Sequence, residues 1–417
     1  MSNKSEAALV PRLRFPEFGD AALQSVLLGD VTEECRSRNG NKHSVTSVMG
    51  VTKADGIVPM EARLISPDIA RYKLVERDWF AYNPMRLNIG SIARWKGDSE
   101  ILVSPDYVVF KCIKNGGLGI APDYLDHFRQ IKAWEQFVTE GGDGSVRVRI
   151  HYKDIARIGL TLPSFPEQQK IADCLSSLDE LIAAQARKLD VLKTHKKGLM
   201  QQLFPREGEI QPRLRFPEFQ NSSKWMLDAL ENLCSAKISY GIVQAGPHVP
   251  GGMPYIKSSD LNSDICLETL SCTSELIAEK YRRSEVLPGD IVFSLRGNIG
   301  ICRIVPDEIS CANLTQGTAR LRAKGSAKFL LQLIQSQRIS DRILAASKGS
   351  TFQEISLGIL RTIPIVFPEL DEQRRIADCL TGLDHFISVQ TQELETLKTH
   401  KKGLMQQLFP SSEAVEA

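Results

Sequence analysis

The chain has little of what most functional classes require. Among its 417 residues no apolar run approaches the ~18 that a bilayer span needs. The opening stretch MSNKSEAALVPRLRF has no continuous apolar core, so it does not read as a secretory signal. Nine cysteines is an odd number, and no two form a C-x-x-C pair, which speaks against a disulfide or zinc framework. Mostly buried, reduced thiols in the cytoplasm are the expectation. Charge of one sign is also missing, because the formal net charge is only +2. A protein that held DNA alone through its phosphates would usually be more basic. Any nucleic-acid role must therefore rest on local patches or on a partner that adds charge.

Catalytic signatures are missing as well. There is no G-x-x-x-x-G-K-[ST], no H-E-x-x-H and no G-x-G-x-x-G following a strand, and the seven histidines are scattered. Asn83-Pro84-Met85 resembles in part the Asn-Pro-Pro-aromatic motif of amino-methyltransferases. It lacks the second proline and the ring that would stack on a base, and no glycine-rich cofactor loop accompanies it. No catalytic residue and no metal ligand is assigned to this chain, and no cofactor is expected to bind it.

What is present is a duplication. KTHKKGLMQQLFP stands at residues 193–205 and again at 398–410. At that constant offset of 205, 26 of the 39 positions from Glu167 to Pro205 are identical in the second copy. PRLRFPEF also occurs twice, at 11–18 and 212–219. Each half is thus the octet, a variable stretch and a long helix, and such repetition fixes architecture before any single residue is interpreted.

The helical copies carry a heptad rhythm. Ile171, Leu175, Leu178, Ile182, Leu189, Leu192, Leu199 and Leu203 step by four and three, with gaps at Gln185 and Lys196. Ile376 through Leu408 repeat the series, with gaps at Gln390 and Lys401. A 3.5-residue repeat specifies a coiled-coil seam. Prolines bracket both segments, and at ~1.5 Å per residue each is a rod on the order of 55 Å long. The second globular stretch lies between the two helices. Because domain termini are usually close together, the second helix is expected to run back antiparallel along the first, about a pseudo-two-fold axis. Gln185 and Gln390 would meet near that axis and fix the helix register, unless both simply face solvent. The tail of the second helix would then arrive beside the first octet, a juxtaposition that residues 203–219 already make covalently.

The variable stretches, roughly 19–160 and 220–365, share landmarks. Strand-like runs at 106–113 and 289–295 are followed by helical segments around 124–137 and 329–344. GDGS at 142–145 corresponds to SKGS at 347–350, and RLNIG at 86–90 to RGNIG at 296–300. The last pair holds the best DNA-binding candidates: Arg86, Asn88, Arg296 and Asn298, to which Lys257 is added. Arg matches guanine and Asn matches adenine bidentately, and glycine permits close backbone approach. Base contact, phosphate contact and a purely structural turn all remain open for them. Arg63, Arg71, Arg94, Lys237, Arg282 and Arg283 are further basic candidates. The KTHKK clusters read either as phosphate contacts or as solvated helix ends that complement the helix dipole.

Two divergent stretches, each followed by a helix opening P-x-x-E-Q-[QR]-[KR]-I-A and closing K-K-G-L-M-Q-Q-L-F, resemble the DNA specificity subunit of type I restriction–modification systems. The resemblance covers essentially the whole chain and includes RGNIG at 296–300 and the LPGDI-type turn at 287–291; the equivalent turn in the first half, ERDWF at 76–80, departs from that pattern. It implies an α+β protein with two target recognition domains separated by two antiparallel coiled-coil helices. The expected boundaries are 1–162 and 206–366 for the domains, 163–205 and 367–410 for the helices, and 411–417 for a disordered tail. It further implies double-stranded DNA as ligand, with each domain reading half of a bipartite asymmetric site and the helices setting the spacer. Two methyltransferase subunits supplying S-adenosylmethionine chemistry, and restriction/translocase subunits using ATP and Mg, would be the partners. The competing reading is a coiled-coil scaffold whose heads bind proteins.

Overall fold

The computed structural model describes residues 10–115, 117–140, 149–347 and 354–410. The GDGS segment, positions 348–350 of SKGS and the tail at 411–417 lie outside the described residues. The chain divides into two compact units. One runs to Ala186 and takes in the chain from Glu393 onward; the other is Arg187–Gln392. Each therefore contains one head and a part of both long helices.

The two heads repeat one plan. In the first, strand Gln24–Leu27 pairs antiparallel with Gly159–Leu162, immediately before the long helix. In the second, Met226–Ala229 pairs likewise with Pro364–Phe367. An antiparallel sheet follows in each: Thr32–Glu34, Val108–Cys112, Phe80–Tyr82 and Ile92–Arg94 in the first, and Cys302–Ile304, Ile291–Ser294 and Thr318–Leu321 in the second. Runs of Val, Phe, Tyr and Ile suit a pleated surface buried on both faces. Phe80 and Phe110 stack there at 5.1 Å between ring centres.

Each expected helical segment is split in two. Pro122–Phe128 and Lys132–Glu140 occupy the first, Ala327–Ile334 and Gln337–Ala345 the second. Ser336 marks the second break, where its hydroxyl donates to the Leu333 carbonyl and competes with the helix.

The long helices are Phe165–Leu203 and Leu370–Leu408. In the unit with the first head, Lys401 donates to Asp179 at 2.6 Å and Gln185 to Glu393 at 3.0 Å. Numbers that rise on one helix fall on the other, so the pair is antiparallel there. In the second unit Lys196 donates to Asp384 at 2.6 Å, and Leu203 clusters with Ile376 and Leu380, which is again antiparallel. Lys196–Asp384 and Lys401–Asp179 are the same ion pair read at the 205 offset. The two lysines continue the leucine series, and their side chains are only 14% and 12% exposed. The apparent gaps in the heptad are thus positions in the seam filled by polar residues.

Each octet ties a head to both helices. Arg14 makes a two-pronged contact with Glu167 at 2.8 and 2.6 Å, and Arg215 does so with Glu372 at 2.9 and 2.6 Å. The Leu13 amide donates to the Gln407 carbonyl, and the Leu214 amide to that of Gln202, both at 3.0 Å. The tail of the second helix therefore does lie beside the first octet. Phe409 packs on Tyr124 and Phe128, as Phe204 packs on Phe329. The next residue in each helix, Gln168 or Gln373, accepts from the backbone N–H that opens the head helix, at Ala121 or Ser326.

Candidate nucleic-acid interface

In the first head, strands Thr32–Glu34 and Phe80–Tyr82 flank Val108–Cys112, and both run antiparallel to it. They must leave the sheet at the same end, beside Val108. In the second head, residues 234–240 and strand Ile291–Ser294 flank Thr318–Leu321 in the same sense and leave beside Thr318. The Arg-x-Asn-Ile-Gly turns stand at these ends, each linking its central strand to the next, Ile92–Arg94 or Cys302–Ile304.

The two turns are built differently. In the first, Arg86 and Asn88 are exposed while Leu87 between them is fully buried. Leu87–Ile89 form a single 3-10 turn that ends on Gly90 at φ +90°. That left-handed geometry disfavours any side chain, and the stem of Lys53 packs where one would start. In the second turn Gly297, at φ +73°, occupies the place of Leu87. Arg296 is held by Glu354 at 2.9 Å, and the Asn298 amide donates to Asn262 at 3.1 Å. Asn262 ends the 3-10 segment Ser258–Asn262 that Lys257 introduces, so Lys257, Arg296 and Asn298 belong to adjoining turns. The Lys257 ammonium donates to Ser271 at 3.1 Å.

A charge reversal accompanies this difference. The Ile150 amide donates to Pro84 in the first head as the Ile355 amide does to Leu295 in the second. The residue before each isoleucine is Arg149 in one and Glu354 in the other. The first turn has an added cation beside it, whereas the second has an anion.

Other candidates sort by burial. Arg94 is 8% exposed and faces Asp123, Asp78 and Asp126, which removes it from the DNA-facing set. Burial alone would lower its pKa; the Asp123 hydrogen bond and the surrounding carboxylates outweigh that and hold it above its ordinary value. Arg63 is exposed beside Glu61, Arg282 is exposed near Glu279, and Arg71, Lys237 and Arg283 are exposed. Of the KTHKK lysines, Lys196 and Lys401 belong to the helix seam, while Lys193, Lys197, Lys398 and Lys402 are exposed. Gln185 is buried and Gln390 half-buried. All nine cysteines are free thiols, and burial pushes Cys35 up to about 11 and Cys302 up to about 12. Among the described residues, no group of three or more His, Cys, Asp or Glu is placed to hold a metal ion.

Sequence reasoning passed over Arg14, Glu167 and Gln168 and their counterparts Arg215, Glu372 and Gln373. The signal was there: an arginine in each octet and a Glu-Gln pair opening each helix.

The sequence profile of the type I restriction modification DNA specificity domain matches residues 113–194 and 223–399. The chain belongs to that family. It is 27% identical over 297 residues to the type I restriction enzyme MjaVIII specificity subunit of Methanocaldococcus jannaschii, an alignment covering 69% of each protein. Its fold is similar to that of the S subunit of a type I restriction-modification system from M. genitalium (TM-score 0.58, 14% identity, 96% of this chain and 99% of that one). A chain from a type I system solved in the context of complex assembly and conformational transition superposes with a TM-score of 0.54 at 17% identity, over 96% of this chain and all of that one. Both likenesses concern the fold. The second profile segment begins at residue 223, just after the second octet, and ends within the second long helix.

Proposed function

We propose that this chain is the DNA-reading specificity subunit of a type I restriction–modification complex. Each head reads one half of a bipartite, asymmetric site, and the paired helices set the unread spacer between the halves. The carrying observation is the repetition of one contact set in both units: octet arginine to helix glutamate, helix glutamine to head helix, and seam lysine to seam aspartate. A frame kept constant around divergent heads is the arrangement expected when one task is performed on two targets. The chain itself carries out no chemistry. Methylation resides in two methyltransferase subunits that bring S-adenosylmethionine, and ATP- and Mg-dependent cleavage resides in restriction/translocase subunits; the complex works in the cytoplasm.

The helices support methyltransferase docking. Leu181 and Phe386 occupy the same position at the 205 offset, and they are 56% and 60% exposed. Two large apolar side chains at equivalent exposed places suit two copies of one partner. Gln185 and Gln390, polar positions in the seam as Lys196 and Lys401 are, serve as register-setting residues. Arg86, Asn88, Lys257, Arg296 and Asn298 contact DNA from the sheet ends. Methylome sequencing of a host with and without the gene tests the whole reading: a bipartite motif that disappears with the gene is expected, and an unchanged methylome overturns it.

A further inference from the structure

The segment that leaves the sheet of the first head beside the Arg86 turn has a rigid construction of its own. Residues 37–40 run antiparallel to 70–74. The Asn39 amide donates to Tyr72, the Gly40 amide to Ala70, and the Leu74 amide to Ser37, at 2.8, 3.0 and 3.0 Å. The chain then reverses across Asn39–Lys42, where the Lys42 amide donates to the Asn39 carbonyl at 3.0 Å. Gly40 and Asn41 both take positive φ, +51° and +67°, as a type I′ turn demands. Asn39 braces the loop from inside. It is fully buried, its side-chain amide donates to the carbonyls of His43 and Ile69, and its side-chain oxygen accepts from the His43 amide.

This scaffold presents cations. Arg38, Lys42 and Arg71 are all exposed, and Arg38 donates through Nη1 to the Arg71 carbonyl at 2.9 Å, which brings the two arginines together. Among the described residues none of the three has a carboxylate within ion-pair distance, although the neighbouring Arg36 is paired with Glu34. Like charges gathered on a braced loop repel one another, and an anion laid across them relieves that cost.

The second head departs here. Its loop at the same sheet end, residues 243–252, reads VQAGPHVPGG and has no Lys, Arg, Asp or Glu. Its His248 accepts a hydrogen bond at Nδ1 from the Cys272 amide.

We propose that Arg38, Lys42 and Arg71 form a clamp for the phosphate backbone of duplex DNA, specific to the first head and without counterpart in the second head's exit loop. The clamp rests on the DNA-reading function proposed above and extends it to a division of labour. The first head's exit loop adds phosphate contacts that the second head's exit loop, which has no charged side chain, does not supply. Phosphate contacts position a protein without specifying sequence, so the clamp raises affinity equally for all sequences under the first head.

The test is the salt dependence of binding of the full-length chain to a random-sequence duplex, between about 50 and about 200 mM salt, read by fluorescence anisotropy. Each neutralised phosphate contributes about 0.9 to the slope of log K against log[salt]. The triple variant R38A/K42A/R71A is expected to lose about 2.7 of that slope, and R38K/R71K to keep it. A control pair on the first long helix, R187A/K188A, is expected to leave the slope nearly unchanged. Wild-type binding with an undiminished slope in R38A/K42A/R71A overturns the clamp and leaves the DNA-reading function standing. An equal loss in the helix control also overturns it, because the effect then belongs to overall charge. A wild-type chain with no salt-dependent binding at all also overturns the clamp, while the methylome comparison above decides the DNA-reading function separately.

Discussion

The turn around Arg86 and the turn around Arg296 stand at the same place in two copies of one sheet, yet they are held by different means. In the first head a fully buried leucine pins the turn from below, and Arg149 lies beside it. In the second a left-handed glycine replaces that leucine, and Glu354 grips the arginine from the side. The shared letters therefore describe how a strand leaves a sheet and returns. What surrounds those letters differs between the heads in charge and in anchoring. By contrast, the contacts that join each head to the helices use equivalent residues at closely similar distances, and the seam lysines are paired alike.

The comparison breaks most visibly at its constant part. Arg14→Ala and Arg215→Ala each leave a buried glutamate unpaired, and each is expected to cost about 4 kcal/mol. Chemical denaturation should find the two losses alike; a difference of more than about 2 kcal/mol would show that the two clamps are not energetic equivalents. At the turns the losses should diverge. Leu87→Ala empties a fully buried site and is expected to cost about 3 kcal/mol. Gly297→Ala adds only the strain of a side chain at positive φ, about 1 kcal/mol. The same denaturation experiment ranks them, and equal costs would contradict two modes of anchoring.

His127 gives a pH-dependent contrast. Burial, then the charge of Lys401, hold its pKa below the ordinary 6.5. In the window below 6.5 the unfolded chain takes up the proton before the folded one does, so stability falls as pH drops and levels off above that value. The second head has Gln332 at the equivalent position, donating to Asp384 at 2.6 Å. His127→Gln should therefore flatten the pH dependence below about pH 6.5. An undiminished slope in urea midpoints would place its origin elsewhere. The smallest effect is expected from Glu354→Gln, since that pair is half exposed and worth only a few tenths of a kcal/mol. Its readout is methylation at the second half-site, with the first unaffected.

Sequence patterning captured whatever was periodic or repeated. The heptad series marked out both long helices, and the duplication anticipated the matched heads and the antiparallel pairing seen in each unit. It failed where a contact spans the chain. Lys196 looked like part of a solvated helix end because its partner, Asp384, lies 188 residues away. Arg94 looked like a surface cation because its carboxylates come from two other segments, Asp78 before its own strand and Asp123 and Asp126 on the helix Pro122–Phe128. The paired Arg-x-Asn-Ile-Gly turns are legible as a repeat, but their different anchoring is invisible without the burial of Leu87 or the carboxylate beside Arg296. The braced loop at 36–43 escaped notice because Asn39 works through three backbone groups that no local pattern reveals.

Spacing tests the account most directly. Four residues inserted between Leu178 and Leu189, with four at the matching place in the second helix, lengthen the pair by ~6 Å. At ~3.4 Å per base pair, methylome sequencing should then find the same two half-sites with one or two more base pairs between them. Unaltered spacing, with both half-sites still methylated, would contradict the idea that these helices measure the distance.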